Sequence, residues 1–202
     1  MKLYYAPGAC SLATHIVLAE AGLKYDLEAI DLRVSPHQTK TGVILTDIAP
    51  KGYVPVLVLD DGEVLTEGAA ILQYLADQAT DKHLAPANGS MARYRLQEWL
   101  NFIATEIHKG FGVLWQPGSS AELKQGALER LSQRFSYIEQ QLGQQSFVLG
   151  EFSVADAYLF TCLSWTRPLK ISLQAWPGLV SYLERVAARP AVQVALREEG
   201  LI

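Results

Sequence analysis

Strand-forming patterns are confined to the first third of this chain, and that limits the architectures open to it more than any other feature. Lys2–Tyr5 is short and β-prone, and Pro7-Gly8 turns the chain. Residues 11–21 then repeat Leu12, Ile16 and Ala19 at helical spacing before Gly22, a residue suited to end a helix. Residues 25–32 alternate as a second strand, 35–48 are polar and weakly helical, and 55–59 form a third strand. Asp60-Asp61-Gly62 is a hairpin turn from which 63–65 pair back. A helix over 67–79 carries Ile71 and Leu75 one turn apart with Tyr74 beside them. The order β-α-β-α-β-β-α joins a parallel βαβ unit to an antiparallel hairpin, which predicts a four-stranded mixed sheet covered by helices.

That sheet is the thioredoxin-like arrangement, and the expected fold class is α/β plus all-α. A thioredoxin-like domain spans 1–79, a polar linker with Pro86, Asn88 and Gly89 spans 80–90, and a helical bundle spans 91–202. The helical segments are 91–114, 122–142, 154–166, 178–188 and 191–198, punctuated by Pro117-Gly118, Gly143, Gly150, Pro168 and Pro190. Ser153-Val154-Ala155-Asp156 is a capping box, and it should nucleate a buried helix carrying Tyr158, Leu159, Cys162 and Leu163.

Composition excludes several functions. The first 80 residues hold five Lys/Arg against ten Asp/Glu and the remainder twelve against eleven, so neither part is a nucleic-acid binder by charge. The longest strongly apolar run, 157–166, is far short of the ~20 residues that span a bilayer, and the first ten residues have no apolar signal core, so a cytoplasmic protein is expected. Two cysteines, Cys10 and Cys162, with no CxxC pair and no Cys/His cluster at zinc spacing, suggest neither a disulfide scaffold nor a metal site.

Three motifs carry chemistry. Cys10 follows the Pro-Gly turn directly, where unpaired helix amides and the positive end of the macrodipole favour a thiolate; the alternative is a small buried apolar cysteine, the reading that suits Cys162. In Lys51-Gly52-Tyr53-Val54-Pro55 the proline at the mouth of a strand implies an edge, a bulge or a cis bond. A cis Val54-Pro55 bond would turn the Val54 amide and carbonyl outward for an extended peptide. At Leu65-Thr66-Glu67-Gly68, free amides near Gly68 could hold a carboxylate while Glu67 holds an ammonium group, unless Thr66 merely caps the helix.

A polarised sulfur site, a peptide-binding edge and a zwitterion clamp on one sheet resemble glutathione transferases, most closely the bacterial beta class. The resemblance covers the whole chain and rests on KLYYAPGACS (2–11), PKGYVP (50–55), LTEGAAILQYL (65–75), EWLNFIATEIHKGF (98–111) and SVADAYLF (153–160). It implies glutathione as co-substrate, no metal, small hydrophobic electrophiles as second substrates, a detoxification role and a homodimer. It places Cys10 beside the glutathione sulfur, Val54 and Pro55 against its cysteinyl backbone, and Glu67 with Gly68 at its γ-glutamyl end. His108 joins Cys10 as catalytic, Lys109 and Trp165 line the electrophile pocket, and Asn101 and Glu106 approach glutathione across the dimer interface.

Three positions depart from the family pattern. Ser35 stands where a lysine often meets the glycyl carboxylate, leaving Arg33, Lys40 or Lys51 to supply the charge; Gly68 stands where serine is common; and Tyr53 stands where a smaller or more flexible polar residue is usual. Tyr4, Tyr5 and Ser11 are reserve hydrogen-bond donors to the sulfur. Besides conjugation, a Cys10 mixed disulfide in thiol–disulfide exchange and a non-catalytic binding role remain as alternatives.

Overall fold

In the computed structural model, which describes all 202 residues, β1 (Lys2–Tyr5) is the middle strand of a five-stranded sheet. The strand order is β3-β2-β1-β4-β5, with β2 at Asp26–Asp31, β3 at Gln38–Thr39, β4 at Val56–Val58 and β5 at Val64–Thr66. β1 runs parallel to β2, with Leu3 opposite Leu27, and antiparallel to β4, with Leu3 opposite Leu57. β4 and β5 form the expected hairpin.

The fifth strand corrects the four-strand expectation. β3 arises from the segment read as weakly helical, where Ile30 and Asp31 pair antiparallel with Thr39 and Gln38; only Leu45–Ile48, helix α2, is helical there. Two-residue strands leave no period in a sequence, so β3 carries no signal.

Alternation along β1 sorts the sheet into two faces. Leu3 and Tyr5 are buried on one; Tyr4 packs on the other against Ile30, Leu45, Val54 and Val56. Helix α1 (Ser11–Ala21) is buried nearly all round because it packs against both α3 (Gly68–Gln78) and α9 (Pro190–Glu198). It ends at Gly22 with φ +65°, where the Gly22 and Leu23 amides donate to Ala19 and Leu18, a Schellman closure that a left-handed residue permits.

The chain divides into two units. The first is Met1–Ala85 together with Arg189–Ile202; the second is Pro86–Ala188. The expected boundaries therefore shift: Thr80–Lys82 is a short 3₁₀ turn within the first unit, and the final helix, expected in the bundle, belongs with the sheet. Its place there is fixed by polar contacts. Arg189 pairs bidentately with Glu20 at 2.6 and 2.9 Å. His15, fully buried on α1, meets Glu199 Oε1 through Nδ1 at 3.0 Å and Glu198 Oε2 through Nε2 at 2.7 Å, and the Tyr25 hydroxyl donates to Glu198 at 2.9 Å.

The second unit is helical: α4 (Met91–Phe102), α5 (Gly112–Trp115), α6 (Ala121–Leu142), α7 (Val154–Ser164) and α8 (Pro177–Ala187). The single helix expected over 91–114 is interrupted by a π-helical segment, Ile103–His108, and a 3₁₀ turn, Lys109–Phe111. The capping box forms as expected: the Ser153 hydroxyl accepts from Ala155 N, and Asp156 accepts from Ser153 N at 2.9 Å. Asp156 also accepts from Val148 N and from the Tyr182 hydroxyl, so α8 and the loop before α7 close on the same carboxylate.

Replacing Glu199 by alanine removes one of the two carboxylates from a buried imidazole and the acceptor of Gly8 N, which donates to Oε2 at 2.8 Å. The expected loss is about 3 kcal/mol of unfolding free energy in urea melts. A loss below about 1 kcal/mol would mean that these contacts contribute no more than exposed ones.

Candidate functional site

Ala6-Pro7-Gly8-Ala9 is a type II turn: Ala9 N donates to Ala6 O at 3.0 Å, Pro7 sits at the second position, and Gly8 at the third has φ +71°. Proline pre-sets φ at its position and glycine alone tolerates the left-handed one. Ser11, fully buried, closes the turn from inside: its hydroxyl accepts from Ala6 N at 3.1 Å and donates to Ala6 O at 3.2 Å. Both capacities are thus spent locally, and Ser11 is not a reserve donor to a sulfur. Tyr5 is likewise buried with its ring toward His15, and burial first, then the charge of Glu199, pushes its hydroxyl pKa up.

Cys10 leaves this turn in helical backbone geometry (φ −58°, ψ −22°) and stays half-buried. Its Sγ lies 3.3 Å from the Val54 carbonyl oxygen as donor. A carbonyl oxygen accepts; a thiolate has nothing to donate and would face the negative end of that dipole. In this arrangement the Val54 carbonyl faces the sulfur that the sequence places at the helix start, a partner suited to a thiol.

Val54 itself is buried, and the Val54-Pro55 bond is cis, as the sequence allowed. The ring of Pro55 reaches the opening of α3: a Cβ built on Gly68 would meet Pro55 Cγ at 3.9 Å, ordinary contact that leaves room for a serine. Glu67 precedes it with φ +72° and ψ 110°, and its side chain caps no amide. A non-glycine residue held there costs on the order of 1–3 kcal/mol, a kind of strain that concentrates at ligand sites. Thr66 is the last residue of β5, so it is not the helix cap either. The Glu67 carboxylate is held by Lys51 Nζ at 2.5 Å.

The basic residues offered for a glycyl carboxylate fare differently. Arg33, 89% exposed, folds back on Asp31 through two contacts of 2.9 and 2.8 Å, and those hydrogen bonds hold the Asp31 carboxyl at about 2. Lys51 faces Glu67 and Lys40 is exposed. One residue the sequence did not single out stands nearby: His37 Nδ1 bonds the Gly52 carbonyl at 3.0 Å, tying the loop before β3 to Lys51-Gly52-Tyr53. No local pattern signals a contact across 15 residues. Tyr53 is 59% exposed.

In the second unit His108 ends the π-helical segment, with Nδ1 2.7 Å from the Tyr158 hydroxyl on α7 and its ring edge-on to Trp165 at 5.0 Å. Burial, with a smaller contribution from neighbouring Lys109, pushes its pKa down to about 4. Trp165 is buried, and its ring also meets Phe111 at 5.6 Å and Trp115 at 6.4 Å. Asn101, Glu106 and Lys109 are exposed on the same stretch. Glu106 is engaged by Arg134 at 2.7 and 2.8 Å, and the Asn101 carbonyl accepts from Thr105. Cys162 is fully buried on α7, a packing residue.

Two family models match the chain. Residues 8–78 fit the glutathione S-transferase N-terminal domain and residues 102–190 fit the glutathione S-transferase C-terminal domain. The chain belongs to the glutathione transferase family. It is 44% identical over 202 residues, all of both chains, to the glutathione S-transferase GstA of Escherichia coli O157:H7. Among solved structures it resembles BphK, a bacterial transferase seen as a ternary complex, at 51% identity and TM-score 0.96 over 99% of this chain and 100% of that one. It also resembles the bacterial beta-class enzyme of Sphingomonas chungbukensis, at 44% identity and TM-score 0.95 over all of both chains. The transferase is therefore of the bacterial beta class.

The depressed pKa of His108 has a measurable sign. The unfolded ring takes a proton near 6.5 and the folded ring near 4, so its contribution to stability is present above about 6.5 and is lost as pH falls through about 4. NMR titration of the transferase is expected to show His108 neutral at pH 6 with a midpoint near 4; a midpoint above 6 would contradict the burial that sets it.

Proposed function

We propose that the transferase conjugates the glutathione thiol to small hydrophobic electrophiles, with Cys10 as a hydrogen-bond donor beside the glutathione sulfur. The observation that carries this reading is the contact between Cys10 Sγ and the Val54 carbonyl. It brings the sulfur position and the peptide-binding edge to one point, so a tripeptide whose cysteinyl backbone paired at Val54 would have its own sulfur within reach of the Cys10 thiol. Glutathione gives up its thiol proton to solvent, and the Cys10 S–H turns from the carbonyl to the anionic sulfur. The new C–S bond then forms as the carbon–leaving-group bond breaks. The protein's share is ionisation and positioning.

The remaining roles follow the same reading. Glu67 and the Gly68 amide bind the γ-glutamyl end and Lys51 serves the glycyl side, while His108, Lys109 and Trp165 act on the electrophile side. Asn101 and Glu106 reach glutathione bound by a second copy, in a cytoplasmic homodimer engaged in detoxification. Sedimentation at twice the 22.2 kDa chain mass is the outcome this predicts, and a single-chain species would remove the shared roles of Asn101 and Glu106.

A second reading, thiol–disulfide exchange through a Cys10 mixed disulfide, draws on the half-exposed sulfur at the start of α1. A protonated, donating thiol is a poor nucleophile, which favours conjugation. The two separate on one substitution. With an activated chloronitrobenzene as electrophile, Cys10→Ser should keep most of kcat/KM because a hydroxyl also donates, while Cys10→Ala should lose roughly 10-fold, the worth of one such hydrogen bond. Disulfide exchange that vanishes in Cys10→Ser, with conjugation equally poor in wild type and variant, would select the second reading.

A further inference from the structure

The imidazole of His108 is gripped at one nitrogen only. Nδ1 is engaged by the Tyr158 hydroxyl at 2.7 Å, while no partner within the protein bonds Nε2. Nε2 is not among the fully sealed, unpartnered side-chain atoms, of which Thr14 Oγ1 is the one in the chain, so it keeps some access to solvent. Tyr158 stands edge-on to the imidazole at 84° and Trp165 at 67°, and both are buried. A ring flip would put a C–H against the Tyr158 oxygen and forfeit the hydrogen bond, so this geometry fixes which nitrogen is free.

The direction of the Tyr158 bond decides what that free nitrogen does. A phenol is a stronger acid than a neutral imidazole N–H, and an imidazole nitrogen is a stronger base than a phenol oxygen, so O–H donates to Nδ1. A neutral imidazole carries one proton, and with Nδ1 accepting it must sit on Nε2. We propose that Tyr158 is a positioning residue: its hydroxyl fixes the His108 tautomer protonated at Nε2, which makes His108 a hydrogen-bond donor to an anion in the substrate complex rather than a base. No proton passes to or from His108 in this role. The donor role rests on the transferase reading; the tautomer does not.

Two measurements on the full chain test it. Nitrogen-15 NMR of imidazole-labelled protein is expected to show Nε2 protonated and Nδ1 bare in the wild type, and a mixture of tautomers in Tyr158→Phe. A proton found on Nδ1 in the wild type would overturn the assignment. In steady-state kinetics with glutathione and an activated chloronitrobenzene, Tyr158→Phe should lower kcat roughly 10-fold with the glutathione KM within about 2-fold. His108→Gln, whose amide nitrogen can donate from about the Nε2 position, should lose several-fold less than His108→Ala. Adding Tyr158→Phe to His108→Gln should then change kcat by less than about 2-fold. Equal losses from Tyr158→Phe in both backgrounds would make Tyr158 a packing residue, and a His108→Gln as damaged as His108→Ala would make His108 a base. A wild type without glutathione turnover would overturn the donor role along with the transferase reading, while the NMR result would still decide the tautomer.

Discussion

The turn at Ala6–Ala9 is the constraint on which the rest of the sheet unit depends. It is tied down twice, at Ala6 by the Ser11 hydroxyl just ahead in the chain and at the left-handed Gly8 by Glu199 from almost the full length of the chain away. Leu201 adds an apolar contact, lying 3.5 Å from where a Gly8 Cβ would stand. With the turn fixed, the first residue after it can only enter α1, and its sulfur falls on the Val54 carbonyl. Local backbone geometry thus sets the position of the thiol, and a contact of high sequence separation holds that geometry.

The helical unit positions its candidate residues by a different device. The run that carries Asn101, Glu106 and His108 begins as an α-helix and widens to a π-helical turn before tightening to 3₁₀. Such interruptions weaken ideal hydrogen bonding and cluster at functional segments. Ile103, Ile107 and Phe111 remain fully buried through the irregularity. Gly110 lies close to α6 there: a Cβ on it would approach Leu131 Cδ2 to 2.9 Å, so that a larger residue would require the leucine to shift. In the same stretch His108 rests against Tyr158 and Trp165.

Legibility in the sequence tracked the range of the interaction. The Pro7-Gly8 turn, the Asp60-Asp61-Gly62 hairpin and the Ser153/Asp156 capping box each close within a few residues, and each formed where its residues announced it. Cys10 was legible for the same reason, although its contact with the Val54 carbonyl was not, because that partner lies 44 residues on. β3, the His37–Gly52 contact, the Glu199–Gly8 tie and the π turn left no periodic trace. The docking of the final helix is not legible, because helical period alone says nothing of where a helix packs; His15, Glu20 and Tyr25 decide that from the far end of the sequence.

At Glu67 a weak side-chain pair sits on a strained backbone. Both side chains are about half exposed or more, at 48% and 60%, so their mutual attraction is worth roughly 0–1 kcal/mol. The strain at Glu67 is of larger order, and it is borne by the backbone whether or not a ligand is present. On the proposed reading, a zwitterionic ligand that presented an ammonium to Glu67 would have only a weak partner to displace, from a carboxylate whose backbone strain is already carried by the fold.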